Sequence, residues 1–485
     1  MRSLCFLASS CLAILPLFAS QQTFCNPIVI ENYPIGMYCR GLKNGDTPTR
    51  EIETWKTPGK KVVQFRELAD PSVIFENGAW YIYPSVDMCY KSTDMGATWT
   101  HIPLNLSGAS GEEDKISYAP AIRKHRGKFL LIGGKARLFQ GDSPEGPFVE
   151  LGTLKLPSPP ALWDADFFSD DDGRLYFYWG CTPTNGIWGI ELDAKNPLKT
   201  IGEAKRLIPF EPETQPWEIA KGKRPRMGYL EGAWMVKNNG KYILTYAAAG
   251  TENKEYAMGQ AISSSPMGPF VKPKNNPFFR KTKGFITGTS HGSIVKGPDD
   301  GWWVFYTINA NSVHWFERRL GMDRIKFDKD GSIAVATASE VPQFLPTKGI
   351  GPVGWRRLVS RTQLGCEEAT DMSFKTYWTA PSVPSSLRVD FDGVMIMRSF
   401  RIIWRDVGLD VERQVKPGPF LYRVEVLRTD GSWKTVCDES ANKRDLLVDY
   451  REIEPVFCTA CRLVILGAPA GITPGVVDFS PFGYH

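Results

Sequence analysis

Five segments of this 485-residue chain share one plan: a polar or charged residue, an apolar strand, a glycine turn, then an aromatic-rich strand. They begin at Asp70, Tyr118, Asp164, Glu231 and His291, and they turn at Gly78, Gly127, Gly173, Gly240 and Gly301. The glycine follows its leading residue by 8, 9, 9, 9 and 10 positions. Apolar runs around NG and DG turns are hairpin signals. Successive turn glycines lie 46 to 67 residues apart, which leaves room for a four-stranded unit the size of a propeller blade. Outer-strand material repeats too: SPEGPF at 143–148 and SPMGPF at 265–270 are near copies. The repeat predicts an all-β chain with a five-bladed β-propeller over roughly residues 24–345. High glycine (45), proline (36) and aromatic content (12%) fit short strands and frequent turns.

The flanks read differently. Residues 1–20 have a charged start at Arg2, an apolar run from Leu4 to Phe18 and small residues before Gln21, the pattern of a cleaved secretory signal peptide. The protein is therefore expected to be secreted or periplasmic, with no later apolar run long enough to span a membrane. The propeller is assigned 21–348. Residues 349–485 carry their own short strands (SLRVDF, RSFRIIW, FLYRVEVL, CRLVIL) and are expected to form a separate β-sandwich of jelly-roll type. A net charge of +5 without a dense basic stripe argues against a nucleic-acid partner. Cys458 and Cys461 form an isolated CxxC in a strand-like setting, where they should point to opposite faces and stay buried rather than bind zinc.

Propeller geometry turns the repeat into a site. The innermost strands of all blades run the same way, so residues leading them reach one mouth of the central channel. Asp70, Asp164 and Glu231 would face a common funnel with Tyr118 and His291. Two carboxylates across a pocket are the working parts of glycoside hydrolysis, and a third near the acid holds its proton. Trp163 and other tryptophans (80, 179, 234, 302 and 303) offer faces for stacking on sugar. GTSHG at 288–292 matches the serine-hydrolase elbow, but a hairpin rather than a helix follows it.

ADPSVI at 69–74, YAPAI at 118–122, WDADFFSDDDGRLYFYWG at 163–180, YLEGAW at 229–234 and GTSHGS at 288–293 resemble glycoside hydrolase family 43. The resemblance implies an inverting exo-glycosidase with Asp70 as general base, Glu231 as general acid and Asp164 tuning the acid, with Asp166 a rival for that last role. It places His291 in the central channel and either Arg318 or Arg319 on the substrate side. It implies no required cofactor; a structural Ca2+ is expected, if anywhere, near His291 or in the C-terminal region. The expected partner is a carbohydrate, with terminal α-L-arabinofuranose or β-D-xylose of plant-type glycans as the family's usual substrate. Stretches of the C-terminal region, among them LRVDFDG and YRVEVLRTDGSWKTV, resemble a discoidin-like (factor 5/8 C-type) domain, which would make it a carbohydrate-binding module. The competing reading is a non-catalytic propeller that binds glycans or protein.

Overall fold

A computed structural model describes residues 21–35, 64–85, 88–107, 116, 118–133, 136–156, 163–220, 228–314 and 316–485. The proposed signal peptide, most of the lead-in before Gln64 and the basic run at 221–226 lie outside the described residues. The chain is almost entirely β, and each of the five repeats forms its own sheet, antiparallel except where Leu106–Ser107 pairs in parallel with the outer edge of the second. Blade 1 begins with Ser72–Glu76, blade 2 with Ala121–His125, blade 3 with Asp166–Ser169, blade 4 with Glu231–Asn238 and blade 5 with Thr287–Lys296. Each first strand touches those of both neighbouring blades, and the fifth touches the first, so the ring is closed. Polar ties fasten the blades: the Ile122 N–H donates to Ser72 Oγ (3.0 Å), the Met235 N–H to Asp166 Oδ2 (3.0 Å) and Ser293 Oγ to the Pro71 carbonyl (2.7 Å). The N-terminal segment closes the circle. Its Ile28 N–H donates to Leu320 of blade 5 (3.0 Å), and Ile30 bridges to Trp99 of blade 1.

The tryptophans sort by burial. Trp80, Trp179, Trp234 and Trp303 are packed between sheets, where apolar area leaves water. Trp302 lines a hollow at the far ends of the inner strands. Only Trp163 of the six is at the mouth, 37% exposed.

The C-terminal residues build one eight-stranded antiparallel sheet system consistent with a β-sandwich. Its strands are not the short ones expected. SLRVDF and RSFRIIW are halves of one 23-residue strand, Ser385–Val407, bent by register shifts between Asp390 and Met395 and again after Met397. Such bulges kink and twist a strand without ending it. Cys458 and Cys461 lie in the 20-residue strand Val448–Gly467, both buried; the seven described cysteines are all free.

This region packs directly against the propeller. One apolar cluster runs from Phe24, Trp99 and Phe285 of the propeller to Phe374, Phe400 and Trp404 of the sandwich. Phe285 and Phe374 stack with ring centroids 4.1 Å apart. Arg66 Nη1 bonds Asp406 Oδ2 (3.1 Å) and Asp445 Oδ1 (3.0 Å), and Arg405 Nη1 bonds Glu317 Oε1 (3.1 Å). Arg401, fully buried in the sandwich, donates to the carbonyl of Asn26 (2.5 Å).

Candidate active site

The leading residues converge on a cavity of about 440 Å³ lined by Asp70, Tyr118, Trp163, Asp164, Glu231, His291 and Arg318, among others. They are not strictly in register. Asp70 and Asp164 sit two residues before their strands, Glu231 opens its strand, and His291 lies inside one, at a break in register between Ser290 and Gly292. What they share is backbone strain. Asp70 (φ 53°), Asp164 (φ 50°) and His291 (φ 40°) are left-handed; in blades 2 and 4 the following residues, Ala119 (φ 40°) and Gly232 (φ 59°), take that conformation. A left-handed non-glycine residue costs about 1–3 kcal/mol and persists only where its surroundings impose it. Gly232 is required twice over, because a Cβ there would lie 2.7 Å from the His291 ring.

Asp70 is held on all sides. Its N–H donates to Thr307 Oγ1 (2.8 Å), and Ser85 Oγ donates to its Oδ2 (2.5 Å). Arg318 Nη1 reaches both carboxylate oxygens at 3.4 Å, while Glu67 Oε2 accepts from Arg318 Nε at 2.9 Å and fixes the guanidinium. His291 Nδ1 stands 3.3 Å from Asp70 Oδ1 and 3.8 Å from Asp164 Oδ2. Burial alone would push the imidazole down, but the carboxylates of Asp70, Asp164 and Glu231 outweigh it and hold His291 above the usual histidine range.

Across the cavity stand Asp164 and Glu231. Glu231 Oε1 accepts from the Tyr256 hydroxyl, and its Oε2 accepts from Cys181 Sγ at 3.1 Å. Burial raises both carboxyls above the ordinary carboxylate range. His291 opposes the rise in each; Glu231 and Asp70 add to that of Asp164, and Asp70 to that of Glu231. Two interacting carboxyls titrate as a pair, and this pair retains a proton well above the pH at which a solvated acid loses it.

Two alternatives left open by the sequence now separate. Asp166 faces away from the cavity, fully buried, and takes Arg123 Nε and Nη2 on its two oxygens at 2.9 Å each; Asp164 is the carboxyl at the site. Arg318 lines the cavity. Arg319, expected as an equal candidate, does not: it points the other way and bonds the Arg66 carbonyl (2.7 Å) and Glu317 Oε1 (3.1 Å). Neighbours on a strand face opposite sides, so only one could reach the mouth. Tyr118 and Trp163 form a tilted pair, centroids 6.3 Å apart, on the rim. The GTSHG serine, Ser290, is buried inside a strand, with no elbow.

Beside His291 the donors are not the all-oxygen set that calcium takes. Thr289 and Ser290, beside His291 in sequence, have buried hydroxyls without partners among the described residues, and calcium takes 6–8 oxygens. Asp164, Cys181 and Glu231 place their ligand atoms within 4.8 Å of one another, but a thiol suits softer ions than calcium.

Sequence reading passed over Ser85, Cys181, Thr251 and Tyr256. Ser85 and Cys181 lie just beyond the ends of second strands (Ala79–Tyr83, Leu175–Trp179), and Thr251 follows Lys241–Ala248. Second strands run opposite to first strands, so their ends return to the same mouth.

The model of glycosyl hydrolases family 43 matches residues 59–333. A β-D-galactofuranosidase of Aspergillus niger is 26% identical over 300 residues, covering 55% of this chain and 81% of its own. A β-xylosidase of Xylanibacter ruminicola is 28% identical over 330 residues, covering 55% and 95%. A xylosidase/arabinosidase of Humicola insolens is 27% identical over 346 residues, again covering 55% and 95%. In structure, a thermostable family-43 glycoside hydrolase aligns with a TM-score of 0.50 at 24% identity, covering 57% of this chain and 96% of its own. With more than half its length matched by the family model, the chain belongs to glycosyl hydrolases family 43 and is a glycoside hydrolase.

Proposed function

We propose that this protein is an exported, inverting exo-glycosidase that removes a terminal α-L-arabinofuranose or β-D-xylose from plant-type glycans. The observation that carries the mechanism is the asymmetry of the cavity. Asp70 faces Arg318 and His291, whereas the Asp164–Glu231 pair keeps a proton. Asp70 takes a proton from a water that attacks the anomeric carbon; Glu231 donates to the departing glycosidic oxygen. Asp164 keeps Glu231 protonated, Arg318 binds sugar hydroxyls, and Trp163 with Tyr118 stacks against the ring face. Export rests on the composition of residues 1–20. The sugar choice is supported by the xylosidase and arabinosidase relatives, and the galactofuranosidase adds a third candidate for the same test.

A panel of p-nitrophenyl α-L-arabinofuranoside, β-D-xylopyranoside and β-D-galactofuranoside identifies the sugar. Proton NMR of the first-formed product from the best substrate is expected to show inversion. A retained anomer would remove Asp70 from the base role, and silence on all three would defeat the proposed substrate class.

A further inference from the structure

Cys181 puts a thiol beside the carboxyls of the sugar cavity. It lies just past the second strand of blade 3, lines the sugar cavity and puts Sγ 3.1 Å from Glu231 Oε2. The other carboxylate oxygen, Oε1, is tied to Tyr256, which is fully buried and does not line the cavity. The two oxygens of Glu231 are therefore unlike. Oε1 is anchored inward by a strong donor, and Oε2 is on the cavity side with a weak one.

We propose that Cys181 is a positioning residue for the acid: its weak S–H donor assigns the transferable proton to Glu231 Oε2 and leaves that oxygen free to deliver it. A carboxyl that accepts from two good donors is stabilised as the anion and gives up its proton early. A hydroxyl in place of the thiol would form a charge-assisted bond of about twice the strength of a neutral one. Sulfur donates weakly, so protonation of Oε2 displaces little. The thiol is itself held in its S–H form, because burial and the charges of Asp164 and Glu231 push it well above the ordinary cysteine range. The other titratable groups around Glu231 are Asp164 from the start of blade 3, His291 from blade 5, Asp70 from blade 1 and Tyr256 from blade 4. The thiol also bonds Asp164, so the variants below act on the coupled pair, and the limb reports the proton that Asp164 and Glu231 share.

This inference rests on Glu231 being the acid. The test is the pH dependence of kcat/KM on the methyl glycoside of the sugar that the panel selects, since methoxide needs a proton to leave. Cys181→Ser is expected to move the basic limb down by about one pH unit, because the new hydroxyl favours the Glu231 anion. Cys181→Ala is expected to move it up, and Cys181→Val, which fills the space that alanine leaves, should follow Ala if the smaller residue unsettles the fold. A role in packing alone would change rate or stability without opposite shifts of the limb. Superimposable profiles, or Ser and Val moving in the same direction, would overturn the inference while leaving the acid in place. Glu231→Gln is measured alongside on the methyl and p-nitrophenyl glycosides. Equal losses on the two would overturn the acid assignment and this inference with it.

Discussion

Glu231 and Asp70 differ in what their protons do, and substitution should expose it. A nitrophenolate departs without a proton, whereas a sugar alkoxide does not. Glu231→Gln is expected to lose about 10²–10⁴-fold on an oligosaccharide and far less on an aryl glycoside. Asp70→Asn should lose equally on both, since each requires an activated water; a fully active Asp70→Asn would end the mechanism. Asp164→Asn removes one charge from the coupled pair. Glu231 then surrenders its proton at lower pH, so the basic limb of kcat/KM should shift downward while the acidic limb stays. The three acids and His291 were legible because they share a phase of the repeat. Cys181 and Tyr256 were not, because nothing in the sequence marks the returning end of a second strand, where Cys181 lies, or the start of the third strand Ala257–Ser263, which Tyr256 precedes. The choice between Arg318 and Arg319 was legible only as an exclusion: strand alternation says that one of them faces the site, not which.

At the scale of elements, the blades are joined by single buried polar contacts, and Asp166 is the clearest. It binds Arg123 and caps the Met235 N–H, while the Arg123 guanidinium lies 3.5 Å from the Trp234 ring centre. Asp166→Ala leaves a cation and an amide without their partner. The expected cost is about 3 kcal/mol in denaturant unfolding, with kcat nearly unchanged. A large fall in kcat with intact stability would instead place Asp166 in the chemistry. Five hairpins could be read from the sequence because glycine turns and period-two runs are local signals. The long C-terminal strands could not, because a bulge breaks the alternation that marks a strand and so resembles a chain end. Ser385–Val407 is one strand that reads as two.

For the whole molecule, the sequence pattern stops at a seam that the packing crosses. Chain cut after Lys348 would uncover Phe285 and strip Arg66 of Asp406 and Asp445. Such a fragment is expected to be insoluble under conditions where the full chain is not. A soluble fragment active on aryl glycosides would show instead that the sandwich is dispensable. The seam escaped sequence reading because its charged partners lie 88 to 379 residues apart and each looks like an ordinary surface charge.

The same seam ties durability to residues that sugar never meets. Arg66 and Glu317, each gripped from the sandwich, stand beside Glu67 and Arg318, the pair that steadies Asp70. When heat loosens that grip, the base loses its alignment while every blade can still hold its strands. Working life at elevated temperature is therefore expected to follow the joint rather than the propeller. Asp445→Asn, which touches nothing in the sugar cavity, should shorten the half-life of activity while leaving the initial rate of the fresh enzyme close to normal.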